Sequence, residues 1–98
     1  MASLEELKRS RIAARGWVKR ASIKLDKAAK DGDIVELEFN LAEFDKRIDH
    51  LDEVQTKIEF VLPDSEVEQD VQKAGDIREE AMEGRLRGIR AIRARNTS

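Results

Sequence analysis

The sequence predicts an all-α protein: an antiparallel coiled-coil hairpin onto which a third helix folds back, completing a three-helix bundle. Three observations carry this expectation. Apolar residues recur at Ile34, Leu37, Leu41, Phe44, Ile48, Leu51, Ile58 and Leu62 in alternating steps of three and four, with Gln55 as the one interruption. That is a heptad stripe sustained for about four repeats. Charged residues make up 41% of the chain and aromatics 4%, a balance typical of long helices rather than sheets. The strongest breaks, Asp31-Gly32-Asp33 and Pro63, divide the 98 residues into three lengths. One helical domain over residues 1–98 is therefore expected, with helices at about 4–30, 34–62 and 66–95.

The first helix opens on Ser3, with Glu6 three residues on, the pattern in which a serine hydroxyl and a glutamate satisfy the free amides of a helix start. Its seam is Leu4, Leu7, Ala14, Val18, Ala21, Leu25 and Ala28, broken by Arg11. Alanines at three of these positions can face the bulkier Leu37, Phe44 and Leu51. Gly16, beside Trp17, lowers helix propensity by about 1 kcal/mol relative to alanine. Gly32 is expected in the left-handed conformation that ends many helices, with Asp33 capping the next one.

At about 1.5 Å per residue the second helix spans about 44 Å, so its stripe needs a partner helix along its length. A short turn makes the first helix that partner. Counting outward from Gly32 brings Leu25 level with Leu41, Val18 with Ile48, and Arg11 with Gln55. The two polar interruptions then share one layer, which penalises other registers. The same count places acidic Asp52 and Glu59 near Arg15 and Lys8. Pro63 ends the second helix, and Ser65 with Glu68 is expected to cap the third. Val67, Val71, Ala74, Ala81, Ile89 and Ile92 share a face of that helix, while Gly75, Gly84 and Gly88 permit a bend or a close approach.

Net charge is −2, but it is segregated. Residues 1–30 carry nine Lys/Arg against three Asp/Glu, residues 31–62 three against ten, residues 63–84 two against eight, and the last fourteen carry five arginines and no acid. Such blocks complement one another within a fold or across an oligomer. The acidic start of the third helix is expected near the basic first helix. Its arginine-rich end is expected near Asp31, Asp33, Glu36 and Glu38.

Chemistry is thinly represented. With no cysteine there is no disulfide, thiolate metal site or cysteine nucleophile, which fits an intracellular, cytoplasmic setting. His50 stands on the outer side of the second helix near Asp49 and Glu53, where a hydrated side chain is the plain reading. No phosphate-binding glycine loop or nucleophile–base pair is present, and no apolar run is long enough for a membrane span. A non-enzyme without catalytic residues, metal or cofactor is expected.

Two surfaces remain. Arg9, Arg15, Arg20, Arg87, Arg90 and Arg93 could contact nucleic-acid phosphates, the alternative reading. Apolar residues also lie off the seams: Ile12 and Ile23 on the first helix, and Val35, Phe39 and Ala42 on the second, with Val54 and Val61 widening its other side. These five, Ile12, Ile23, Val35, Phe39 and Ala42, are the expected self-association surface, with a homodimer as its product. A tether for a heterologous helix is the third reading.

The stretch Arg15–Leu62 carries WVKRASIKLDKA, then DIVELEFNLAEFDKRIDHLDEVQTKIE with its Val54-Gln55-Thr56-Lys57-Ile58 phrase. It resembles a helical domain from the Gag region of Pao/BEL-type retrotransposons. That resemblance implies a structural Gag-like protein, or a domesticated relative, that assembles with itself and with RNA or other Gag regions. It brings no catalytic residue.

Overall fold

Each helix start follows from the residues that precede it, twice as expected and once otherwise. In the computed structural model, which describes residues 2–97, α1 is Leu4–Asp31, α2 is Ile34–Val61 and α3 is Asp64–Asn96. The Glu6 amide donates to Ser3 Oγ at 3.2 Å, and the Glu36 amide donates to Asp33 Oδ1 at 2.8 Å. At α3 the Ser65–Glu68 box does not form. The helix begins two residues earlier, at Asp64, after Pro63 (φ −57°, ψ 142°), with no side-chain cap. Pro63 lacks an amide hydrogen and has its φ preset, so it can precede a helix directly, which draws Ser65 into the first turn.

The α1–α2 turn corrects a second expectation. Gly32 is extended (φ −85°, ψ 161°), not left-handed. Space is what calls for glycine there. A Cβ on Gly32 would stand 2.9 Å from the Ala28 carbonyl oxygen and 3.1 Å from Ala28 Cα. The Gly32 amide donates to that same carbonyl at 2.8 Å.

The three helices pack into a bundle of 52 × 22 × 14 Å. All three pairs of helices are in contact, α1 with α2 most extensively. Its core divides in two. Ala14, Val18, Leu25, Leu37, Phe44 and Ile48 belong to the larger apolar cluster, while Leu7, Val54, Ile58 and Leu62 form a smaller one. Arg11, Gln55 and Asp70, one from each helix, form a polar layer in the bundle. Arg11 Nη1 donates to Gln55 Oε1 at 3.0 Å and to both Asp70 oxygens at 2.9 Å, and Gln55 Nε2 donates to Asp70 Oδ2 at 2.8 Å. Arg11 and Asp70 side chains keep only 11% and 16% of their exposure. Among the described residues no buried side-chain polar atom lacks a partner.

The expected α3 face is buried or half-buried at Val67, Ala74, Ala81, Ile89 and Ile92 and departs from expectation at Val71. Asp70 turns inward and Val71 is left 43% exposed, because only the carboxylate can neutralise Arg11. Val54, which lies off the α2 stripe, is buried in the smaller cluster. The acidic flank of α2 also finds other partners than Lys8 and Arg15. Arg85 grips Asp45 at 2.8 and 3.2 Å, and Arg78 grips Asp52 at 3.2 Å, so α3 takes these carboxylates. At the opposite end Arg95 meets backbone carbonyls, donating to Gly32 at 3.0 Å and Ala29 at 2.9 Å. A cation there complements the partial negative charge at the C-terminus of α1.

The buried residues of α3 are Ala81, Gly84 and Gly88. A Cβ on Gly84 would lie 3.1 Å from Ser22 Oγ, and one on Gly88 would lie 2.9, 3.0 and 3.1 Å from Leu25 Cδ2, Cδ1 and Cγ. Leu25 is fully buried and cannot swing aside. Gly88→Ala is therefore expected to destabilise the bundle by about 1–2 kcal/mol, since overpacking outweighs the roughly 1 kcal/mol gained in helix propensity. Gly16, where a Cβ would meet nothing within 4 Å, supplies the contrast. Gly16→Ala should stabilise by up to about 1 kcal/mol. Thermal unfolding followed by circular dichroism checks both signs.

Candidate functional site

A heptad seam buries one stripe of a helix and leaves the remaining faces to water, so large apolar side chains on those faces need an account. On α1, Ile12 and Ile23 are 71% and 62% exposed, and on α2, Val35 and Phe39 are 70% and 65% exposed. Ala42 is exposed as well. All five residues expected to mediate self-association thus lie at the surface, but they do not form one patch. Ile23 lines a groove between α1 and α3 of about 420 Å³, with Val18, Ile77 and Ala81. Phe39 lines a separate groove of about 260 Å³ between α1 and α2.

The α1–α2 groove has a definite chemistry. Its walls include Trp17, Arg20 and Lys24 from α1 and Phe39, Glu43 and Arg47 from α2. The Arg47 guanidinium carbon lies 4.5 Å from the centre of the Trp17 ring, and that of Arg20 lies 5.9 Å away. Both are within cation–π range, which fixes the indole while leaving it 47% exposed. Glu43 sits 3.9 Å from the exposed Lys46, a pair worth well under about 1 kcal/mol. Two aromatic surfaces and three cations thus line one shallow cleft.

Trp17 and Arg47 were not expected here. The signal was present: Trp17 precedes the seam residue Val18, and the register that levels Val18 with Ile48 brings it within a turn of Arg47. Phe60, 90% exposed near the end of α2, was also missed, although it occupies the same outward heptad position as Phe39. On α3, Leu86 is 48% exposed beside half-buried Met82.

The basic residues expected to meet phosphate are dispersed and partly engaged. Arg87 is bound to Asp26 at 3.1 and 3.2 Å, and Arg20 lies over Trp17. Arg15 is half-buried; burial and the charge of Arg11 lower its pKa from the ordinary arginine value, with Asp70 opposing. Arg9, Arg90 and Arg93 are exposed, but at opposite ends. The neighbour of Arg9, Arg11, meets Asp70, whereas Arg95, beside Arg93, meets Gly32. About twenty residues of helix, roughly 30 Å, separate the two.

His50 and Glu53 are both exposed on α2. Among the described residues no group of three or more histidines and carboxylates is gathered closely enough to hold a metal ion. No helix among them is long and apolar enough to cross a membrane. Fold and surface together define a class, an all-helical bundle keyed by an internal polar layer and carrying apolar and charged grooves. No family model, curated protein or solved structure matches the chain.

Proposed function

We propose that this chain is a non-enzymatic assembly module in which α1 and α2 form an antiparallel hairpin braced by α3, and copies associate through their exposed apolar faces. The observation that carries the reading is Phe39. A large aromatic side chain stands 65% exposed beside a second aromatic, Trp17, in a groove. Val35 and Ala42 extend the same helix face. Solvating such a surface is unfavourable by roughly 25 cal/mol per Å² of apolar area, and a second copy relieves it. A homodimer is the smallest assembly that does so. The Gag-like resemblance of Arg15–Leu62 agrees with an assembly role, and a domesticated or element-encoded Gag-like protein is the family we propose.

Light scattering tests the proposal. Wild type is expected to exceed monomer mass at high micromolar concentration, and Phe39→Asp to return it to the monomer, because the carboxylate cannot be desolvated in an apolar contact. An unchanged mass in Phe39→Asp, or a monomeric wild type, overturns it. Phosphate binding by the six arginines is less favoured, since Arg15, Arg20 and Arg87 already have intramolecular neighbours.

A further inference from the structure

We infer that copies of this chain associate head to tail, the Trp17–Phe39 groove of one copy receiving the outer flank of α3 from the next. The inference rests on the self-association reading and names the two surfaces that meet. The first is the α1–α2 groove, with two exposed aromatic rings and the cations Arg20, Lys24 and Arg47 against one carboxylate, Glu43. The second is a shallow depression of about 480 Å³ built from α3 alone, lined by Gly75, Arg78, Glu79, Met82, Glu83 and Leu86.

The two surfaces are complementary in charge. Arg78 is already neutralised by Asp52, at 3.2 Å, so Glu79 and Glu83 leave the depression net acidic where the groove is net basic. Leu86 is 48% exposed, and Met82 beside it is half-buried and unbranched, a side chain that moulds to an incoming ring. No atom lies within 4 Å of where a Gly75 Cβ would stand, so the floor is open to a knob from outside. Trp17 and Phe39, 47% and 65% exposed on the groove wall, are the side chains that would face it. Their flanking cations would lie against Glu79 and Glu83, an arrangement that selects the partner surface more than it adds affinity.

Because the groove and the depression share no residue, the contact is heterologous. Each copy that docks through one surface leaves the other free. Such contacts build rings when the rotation closes and open chains when it does not, in contrast to a self-complementary two-fold dimer. A short, mostly helical chain could in this way form assemblies larger than a dimer.

Two variants separate the surfaces. Arg20→Glu/Arg47→Glu reverses the groove and leaves the depression intact, while Leu86→Asp disables the depression and leaves the groove intact. Both sites are on the surface, and circular dichroism confirms that each variant stays helical. Sedimentation velocity of the full chain is expected to give wild-type assemblies beyond a dimer that grow with concentration and weaken with added salt. Each variant alone should associate about tenfold more weakly or worse, a loss of about 1.4 kcal/mol. An equimolar mixture should yield a one-to-one complex that does not grow, since only one groove and one depression remain competent. If either variant assembles like wild type while Phe39→Asp is monomeric, the head-to-tail assignment is overturned and the self-association reading stands. A wild type that is monomeric throughout overturns both. A groove variant that keeps wild-type mass but loses a low-salt RNA gel shift assigns the groove to nucleic acid and also overturns the inference.

Discussion

Asp70→Leu is expected to destabilise the bundle by about 3–5 kcal/mol, a large share of the roughly 5–15 kcal/mol that holds a domain of this size folded. Asp70 is the acid that pairs with Arg11 in this layer, accepting from Arg11 at 2.9 Å and from Gln55 at 2.8 Å, while Glu59 accepts from Gln55 at 2.9 Å. Removing it leaves Arg11 largely buried without its ion-pair partner, and Arg15, whose pKa is lowered by burial and by the charge of Arg11, loses the opposing charge of Asp70. The triple replacement Arg11→Leu/Gln55→Leu/Asp70→Leu should recover most of that loss. It removes the three polar side chains of the layer together, and such exchanges are often neutral or stabilising. What the triple variant should lose is register specificity, because the layer no longer penalises a shifted pairing. Urea unfolding of the three proteins checks the order; a triple variant less stable than Asp70→Leu would contradict it.

The same layer sets an acid limit. Burial pushes the Asp70 carboxyl up, but hydrogen bonds from Gln55 and Arg11 and the charges of Arg11 and Arg15 outweigh it. The result lies below the ordinary value of 3.8. A carboxyl whose folded pKa is depressed contributes stability that is fully present above the unfolded value and lost as pH falls through the folded one. Wild type should therefore lose stability more steeply than the triple variant below about pH 4.

Phe44→Ala is the second change of large effect, with an expected loss of about 3–5 kcal/mol. Phe44 is fully buried and the largest side chain in the main cluster, where alanines of α1 leave room for it. The variant loses the transfer energy of the ring and leaves a cavity that its neighbours refill only in part. Phe60→Ala removes the same group from a site that is 90% exposed and should change stability by less than about 0.5 kcal/mol. The pair isolates burial from residue type, and denaturant midpoints measure it.

Three helices were legible in the sequence because each is written in short-range terms. Ser3 and Asp33 cap where side-chain oxygens can reach free amides, and the α2 stripe repeats at a helical spacing. The Arg11–Gln55 layer was legible too, since a short turn lets residues be counted outward along two helices of equal rise. The candidate surface was half legible. Phe39 and Ile23 stand off their seams and can be assigned to the outside, but a helical pattern does not say which two outer faces flank one groove.

The sequence by itself determined the helices, their order and the positions that face inward on α1 and α2. Only the tertiary structure decided which of Asp70 and Val71 on α3 turns inward. Val71 looked like a core residue on apolar spacing, and Asp70 displaced it because a buried guanidinium demands a carboxylate. Gly84 and Gly88 in the α3 seam are invisible to hydrophobic periodicity, since glycine adds no apolar side chain and acts by letting Ser22 and Leu25 come close. Charge blocks indicated which segments attract, but not that Asp45 and Asp52 would go to Arg85 and Arg78. Long-range pairing depends on which groups end up facing each other once apolar packing is complete, and that is a property of three helices together.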